Sequence, residues 1–228
     1  MQASWSYEGS TGPDHWGELD ESFALCSIGE QQSPIALSYN SLSSAKWPLI
    51  NTYEQTEFTV TNNGHTIQAD VYGTTDSSLR LSGTLYTLAQ FHFHTPSEHT
   101  VDDESFEMEL HFVHKDANDN LAVLGVLMEE GEHNDVLEDV WSIMPSNEEI
   151  AAETVELHPN DLIPADLRSF QYNGSLTTPP CDEGVKWSVI DEPIELSREQ
   201  IDRFQAIYPS NYRPVQDLGD RDVGYHYH

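Results

Sequence analysis

The segment Gln90-Phe91-His92-Phe93-His94 constrains this chain more than any other. As a β-strand, with its period of two, it sends both phenylalanines to one face and Gln90, His92 and His94 to the other. Such a strand needs an apolar layer behind it and a polar surface in front. The same rule divides Glu107-Met108-Glu109-Leu110-His111-Phe112-Val113-His114. Glu107, Glu109, His111 and Val113 share one face, and Met108, Leu110, Phe112 and His114 share the other. Further strand-like stretches fall at 58–61, 66–71, 78–82, 89–94, 106–114, 122–129 and 186–190, separated by turn signals such as Asn62-Asn63-Gly64 and Asn173-Gly174. Two helices are expected. Residues 134–144 place Val136, Leu137, Val140, Trp141 and Met144 on one face and stop at Pro145, and 197–206 opens with Ser197 and Gln200 in capping-box spacing. The expected fold is predominantly β, of the α+β kind, in one domain over residues 1–228.

Charge limits the partners. Forty acidic residues face nine basic ones, giving a formal net charge of −31, and only Lys46, Lys115 and Lys186 are lysines. Nucleic acid and anionic membranes are poor partners for such a surface. Self-repulsion falls as salt shortens the Debye length to ~3 Å at 1 M, so the composition predicts salt tolerance. No apolar run approaches the ~20 residues needed to span a bilayer, and the first residues carry no charged-then-apolar leader. Cys26 and Cys181 are the two cysteines. Buried free thiols and a disulfide are both open readings of them.

The histidines carry the chemistry. Two imidazoles at i and i+2 on a strand converge on one point, and a neighbouring strand bearing His111 supplies a third. Three neutral nitrogen donors leave one tetrahedral position open, as in catalytic rather than structural zinc sites. Gln90 and Glu109 lie two residues before ligands on the same faces, placed to accept the outer ring hydrogens of His92 and His111. His15, His99, His114, His133 and His158 are expected to be structural or exposed, and His226 and His228 to form a tail able to pick up stray metal. One alternative is a cupin-type metal-binding protein or oxygenase, with His92, His94, Glu98 and His111 as ligands. Ser105, however, stands where its motif has glycine.

Several motifs in order resemble the α-class carbonic anhydrases. They are Gly12-Pro13-Asp14-His15-Trp16, Gln32-Ser33-Pro34-Ile35, Asn62-Asn63-Gly64-His65, Phe91-His92-Phe93-His94, Glu109-Leu110-His111-Phe112-Val113-His114, Gly174-Ser175-Leu176-Thr177-Thr178-Pro179-Pro180 and Asn211-Tyr212-Arg213-Pro214. Thr95-Pro96-Ser97-Glu98-His99 is closer to bacterial or algal members. The resemblance implies a twisted, largely antiparallel sheet of about ten strands with a few short peripheral helices. It implies Zn2+ on His92, His94 and His111, and reversible hydration of carbon dioxide to bicarbonate and a proton. Thr177 would orient the attacking hydroxide and itself donate to Glu98, His65 would shuttle protons, and Asn211 would help steady the ligands. Val113, Val123, Leu176, Val185 and Trp187 would form the apolar substrate wall, Thr178 would meet departing bicarbonate, and Tyr7, Asn63 and Gln68 would order the proton path. A Cys26–Cys181 disulfide and a periplasmic or secreted location are implied too, for a monomer or homodimer. A relative that keeps the fold without turnover is the second alternative, although no ligand is missing.

Overall fold

The computed structural model describes residues 3–227. Alternation in the sequence becomes a twelve-stranded mixed sheet. Ten strands form one continuous path, and two more, Leu49–Thr52 and Ser78–Leu81, pair with each other, the latter also joining Thr84–His94. Helices are few and short: Asp135–Trp141 and Arg198–Ile207 are the longest among the described residues. The first is capped by the Asn134 side chain and ends before the expected 144. The second opens with the full Ser197–Gln200 capping box. No described helix is long and apolar enough to cross a membrane.

The centre of the sheet positions the histidines. Thr84–His94 lies antiparallel to Met108–Lys115, which lies antiparallel to Leu121–Glu130, and that strand runs parallel to Glu183–Leu196. Register across these strands produces two rows. One runs Gln68, His92, His111, Gly125, and the other Gln90, Val113, Val123, Trp187. An irregularity between Leu88 and Gln90 precedes the ligand stretch, so alternation is regular from Gln90 onward.

Behind the histidines, Phe91, Phe93, Leu110 and Phe112 are fully buried in the main core with Phe58, Trp141 and Phe204. Burying each such side chain contributes about 1.5–3 kcal/mol, so these phenylalanines hold the face assignment of the two ligand strands. A one-residue slip would turn every imidazole into the core. On the opposite side a second apolar cluster gathers Val113, Val123, Tyr172, Val185 and Trp187. Cys26 and Cys181 form a disulfide that spans 155 residues of chain, packed against Trp16 and Phe23.

Candidate metal centre

His92, His94 and His111 come together as the sheet register requires, with one nitrogen from each ring within 4.8 Å of the others. The remaining nitrogens are occupied. Nδ1 of His92 donates to Oε1 of Gln90 at 2.8 Å, and Nδ1 of His94 to the Asn211 carbonyl at 2.8 Å. Nε2 of His111 donates to Oε2 of Glu109 at 2.5 Å. Each outer hydrogen bond fixes a tautomer, leaving Nε2 of His92, Nε2 of His94 and Nδ1 of His111 bare. The bare Nε2 of His94 is buried with no hydrogen-bond partner among the described residues, and a buried polar atom left so is costly. A cation that accepts three neutral nitrogens satisfies all three lone pairs, so the donor set fits zinc.

Electrostatics agree. Burial first, then the neighbouring His94 and His111, hold His92 well below the usual imidazole range, and burial lowers His94 as well. Burial also opposes charge on His111, but Glu109 outweighs it and raises that ring. Glu109 is itself an anchored carboxylate. Its Oε1 accepts the main-chain N–H groups of Glu98 and His99, and its Oε2 lies 2.8 Å from His99 Nδ1. Nε2 of His99 meets Tyr172 Oη at 2.6 Å, and Tyr172 donates to Ser33 Oγ at 2.8 Å. His99 is thus structural, as expected, yet it braces a ligand's partner. The period-two reading of the ligand strands could not reach it, because His99 lies in the loop between them.

The cavity in front of the histidines has a volume of about 240 Å³. Its polar side includes Tyr7, Asn63, His65 and Gln68, and its apolar side Val113, Val123, Leu176 and Trp187, with Thr177 and Thr178 at the loop. Val185 departs from expectation. It is buried in the apolar cluster with Tyr172 and Trp187 and does not line the cavity. Its cross-strand partner is Gly174, and the register breaks only beyond that pair, before Ser175. His65 stacks on Trp5, with ring centroids 3.5 Å apart and planes 7° from parallel. Nothing in the sequence marked Trp5, since a lone tryptophan near a terminus has no period to read.

Glu98 is buried, and its Oε2 accepts the main-chain N–H of Arg213 at 2.8 Å. Its Oε1 has no hydrogen-bond partner and lies 3.4 Å from Nε2 of His94 and 3.9 Å from Nδ1 of His111. The expected bond from Thr177 to Glu98 is therefore not formed among the described contacts. The free oxygen instead faces the bare nitrogens of His94 and His111, lone pair toward lone pair, an arrangement that a cation held by the rings relieves. Asn211 ties the site together. Besides its carbonyl on His94, its side chain accepts from Thr95 N and donates to the carbonyls of His65 and Phe93.

The other histidines divide as expected, with one exception. His15 and His133 are exposed, His158 is half-buried, and His114 is sealed in the core. His226 is not a free tail residue but a buried member of the strand Val223–His226, paired with Ser169. His228 lies outside the described residues.

Comparison with known proteins follows the same line. Residues 11–227 match the eukaryotic-type carbonic anhydrase family. A carbonic anhydrase of Nostoc sp. is 42% identical over 226 residues, covering 96% of this chain and 85% of the relative. One from Klebsiella pneumoniae is 42% identical over 221 residues, covering 96% of this chain and 89% of the relative. The solved α-carbonic anhydrase of Thermovibrio ammonificans, in complex with the inhibitor sulfanilamide, superposes with a TM-score of 0.92 at 41% identity, covering 98% of this chain and all of that one. These matches leave no place for the cupin reading. With its three-histidine centre on a mostly β fold, the chain belongs to the eukaryotic-type carbonic anhydrase family, enzymes that hydrate carbon dioxide.

Proposed function

We propose that the protein is a zinc carbonic anhydrase that interconverts carbon dioxide with bicarbonate and a proton, holding the metal on His92, His94 and His111. The division of the six ring nitrogens carries this reading. Three are engaged by Gln90, Asn211 and Glu109, and three are left for one cation. In carbonic anhydrases zinc supplies Lewis-acid activation, bringing the pKa of a coordinated water to ~7.

The chain's own residues supply position and proton traffic. Thr177 lines the cavity, and the unpartnered Oε1 of Glu98, although not bonded to it in this structure, has a free site to accept its hydroxyl proton. A threonine that donates to a carboxylate turns its lone pairs outward and can accept a hydrogen bond from the attacking oxygen, which aims that oxygen at carbon. Val113, Val123, Leu176 and Trp187 offer an uncharged substrate an apolar wall, and Thr178 a polar contact for bicarbonate. His65 takes the proton that each hydration releases. Burial lowers its pKa from the ordinary 6.5, and the nearby Glu148 charge opposes that. Tyr7, Asn63 and Gln68 form the polar wall along this path, with Asn63 donating to Gln68 at 3.2 Å.

Purified protein is expected to carry one zinc per chain and to hydrate carbon dioxide in a stopped-flow indicator assay, with inhibition by sulfanilamide. A zinc-loaded protein without sulfanilamide-sensitive hydration would instead be a non-catalytic relative. Replacing His65 by Ala is expected to slow turnover in weak buffer, with rescue by added imidazole. If turnover is unchanged, His65 has no shuttle role.

We also propose that the chain works as one domain, as a monomer or homodimer, in the periplasm or outside the cell. Its disulfide suits an oxidising compartment. The net charge of −31 supports salt tolerance. Melting temperature is expected to rise with sodium chloride, and a flat or falling curve would end that reading.

A further inference from the structure

At the cavity rim, one exposed acid occupies a place that its position in the sequence does not explain. Glu148 lies in the loop after the helix Asp135–Trp141, far along the chain from Gly64 and His65. Yet a Cβ added to Gly64 would fall 1.6 Å from the Glu148 Oε1 and 2.8 Å from its carboxyl carbon. Gly64 has φ +88°, so the turn there calls for glycine, and the Glu148 carboxylate rests in the space beside it. His65 follows directly, and its ring lines two spaces at once. It faces the metal-centre cavity on one side, and on the other an outer hollow shared with Trp5, Tyr7, Glu8, Gly64, Tyr208 and Ser210. His65, with Trp5 and Tyr7, thus borders both spaces, and Glu148 lies against the turn that carries it.

We propose that Glu148 is a positioning residue for proton export, its carboxylate favouring the charged form of His65 at the mouth of the cavity. The inference rests on the shuttle reading of His65. Partial burial disfavours a charged imidazole. The negative charge of Glu148 restores part of what burial removes. The other titratable groups near the ring do not do this. Tyr7 is pushed well above the usual phenol range, chiefly by burial, and Tyr208 up to about 12, so both stay neutral. His92, His94 and His111 across the inner cavity carry no negative charge. Glu8 shares the outer hollow, but Glu148 is the charged group that acts on His65. In each export event the proton leaves His65 for water or buffer and the ring returns to neutral, so Glu148 biases occupancy and is not consumed.

The test uses the zinc-loaded full chain, following the His65 ring by NMR through a pH titration and turnover by stopped flow. Glu148→Gln is expected to lower the His65 midpoint by roughly half a unit. It should also slow turnover in weak buffer about twofold, leave kcat/KM unchanged and be rescued by imidazole. Glu148→Asp should restore most of both effects, and molar sodium chloride should shrink them because the Glu148 carboxylate is exposed to solvent. An unchanged His65 midpoint in Glu148→Gln overturns the proposal, as does a loss in kcat/KM equal to that in kcat. The shuttle reading fails separately, if His65→Ala leaves turnover in weak buffer intact.

Discussion

His111 and His114 sit three residues apart on one strand, are both fully buried, and respond to burial in opposite ways. His111 faces the cavity and donates to Glu109, whose charge raises the ring above its ordinary value despite burial. His114 points into the core, where its Nδ1 lies 3.1 Å from the Ala122 carbonyl and its Nε2 2.8 Å from Tyr53 Oη. With only uncharged partners, burial pushes it down to about 4. The partner's charge, not the depth of burial, sets the direction in which each ring is shifted.

The strongest way to break this contrast is to take the charge from His111. Glu109→Gln is expected to weaken zinc retention roughly 10–100-fold in a chelator competition. It should also cost folding stability on the order of 3–5 kcal/mol in a denaturant melt, because His99 and two main-chain donors share the same carboxylate. Zinc retention equal to that of the unaltered protein would mean that Glu109 does not set the state of His111.

The contrast sharpens from the other side with His114→Gln. The folded-state pKa of His114 lies below its unfolded value of ~6.5, so between pH 6.5 and 4 the unfolded chain binds more protons. Stability from this residue is complete above about 6.5. It is lost as pH falls toward 4, by on the order of 3 kcal/mol, and changes little below that. The variant should lose that part of the acid limb relative to the unaltered protein. An identical pH dependence would show that His114 titrates normally. Tyr53→Phe is expected to have the smallest effect. It removes one buried hydrogen bond, costs about 1 kcal/mol in thermal melts and leaves zinc content unchanged.

Much of this contrast was legible in the sequence, because period two acts locally. Alternation alone separates His111 from His114 and sends Phe91 and Phe93 to the core, and the paired capping signals of Ser197 and Gln200 fix the start of the last helix. What alternation does not encode is which strands meet. The parallel pairing of Leu121–Glu130 with Glu183–Leu196 depends on contacts across some sixty residues, and it sets the row that includes Trp187. Alternation likewise does not tell that Val185 is buried among Tyr172 and Trp187, since that depends on which strands pack together. The bracing of Glu109 by His99 and Tyr172, and the approach of Glu148 to Gly64, join distant loops through single side chains. Neither leaves a repeating pattern to read.

Asn211 has a consequence for biosynthesis. Five hydrogen bonds from this one residue orient His94 and clasp the backbone at Phe93, Thr95 and His65. A nascent chain that has already made all three ligand histidines still lacks the clasp that aligns one of them. Metal capture therefore draws on residue 211 as well as on the three histidines, and replacing Asn211 by Ala should yield protein that is poorly metallated.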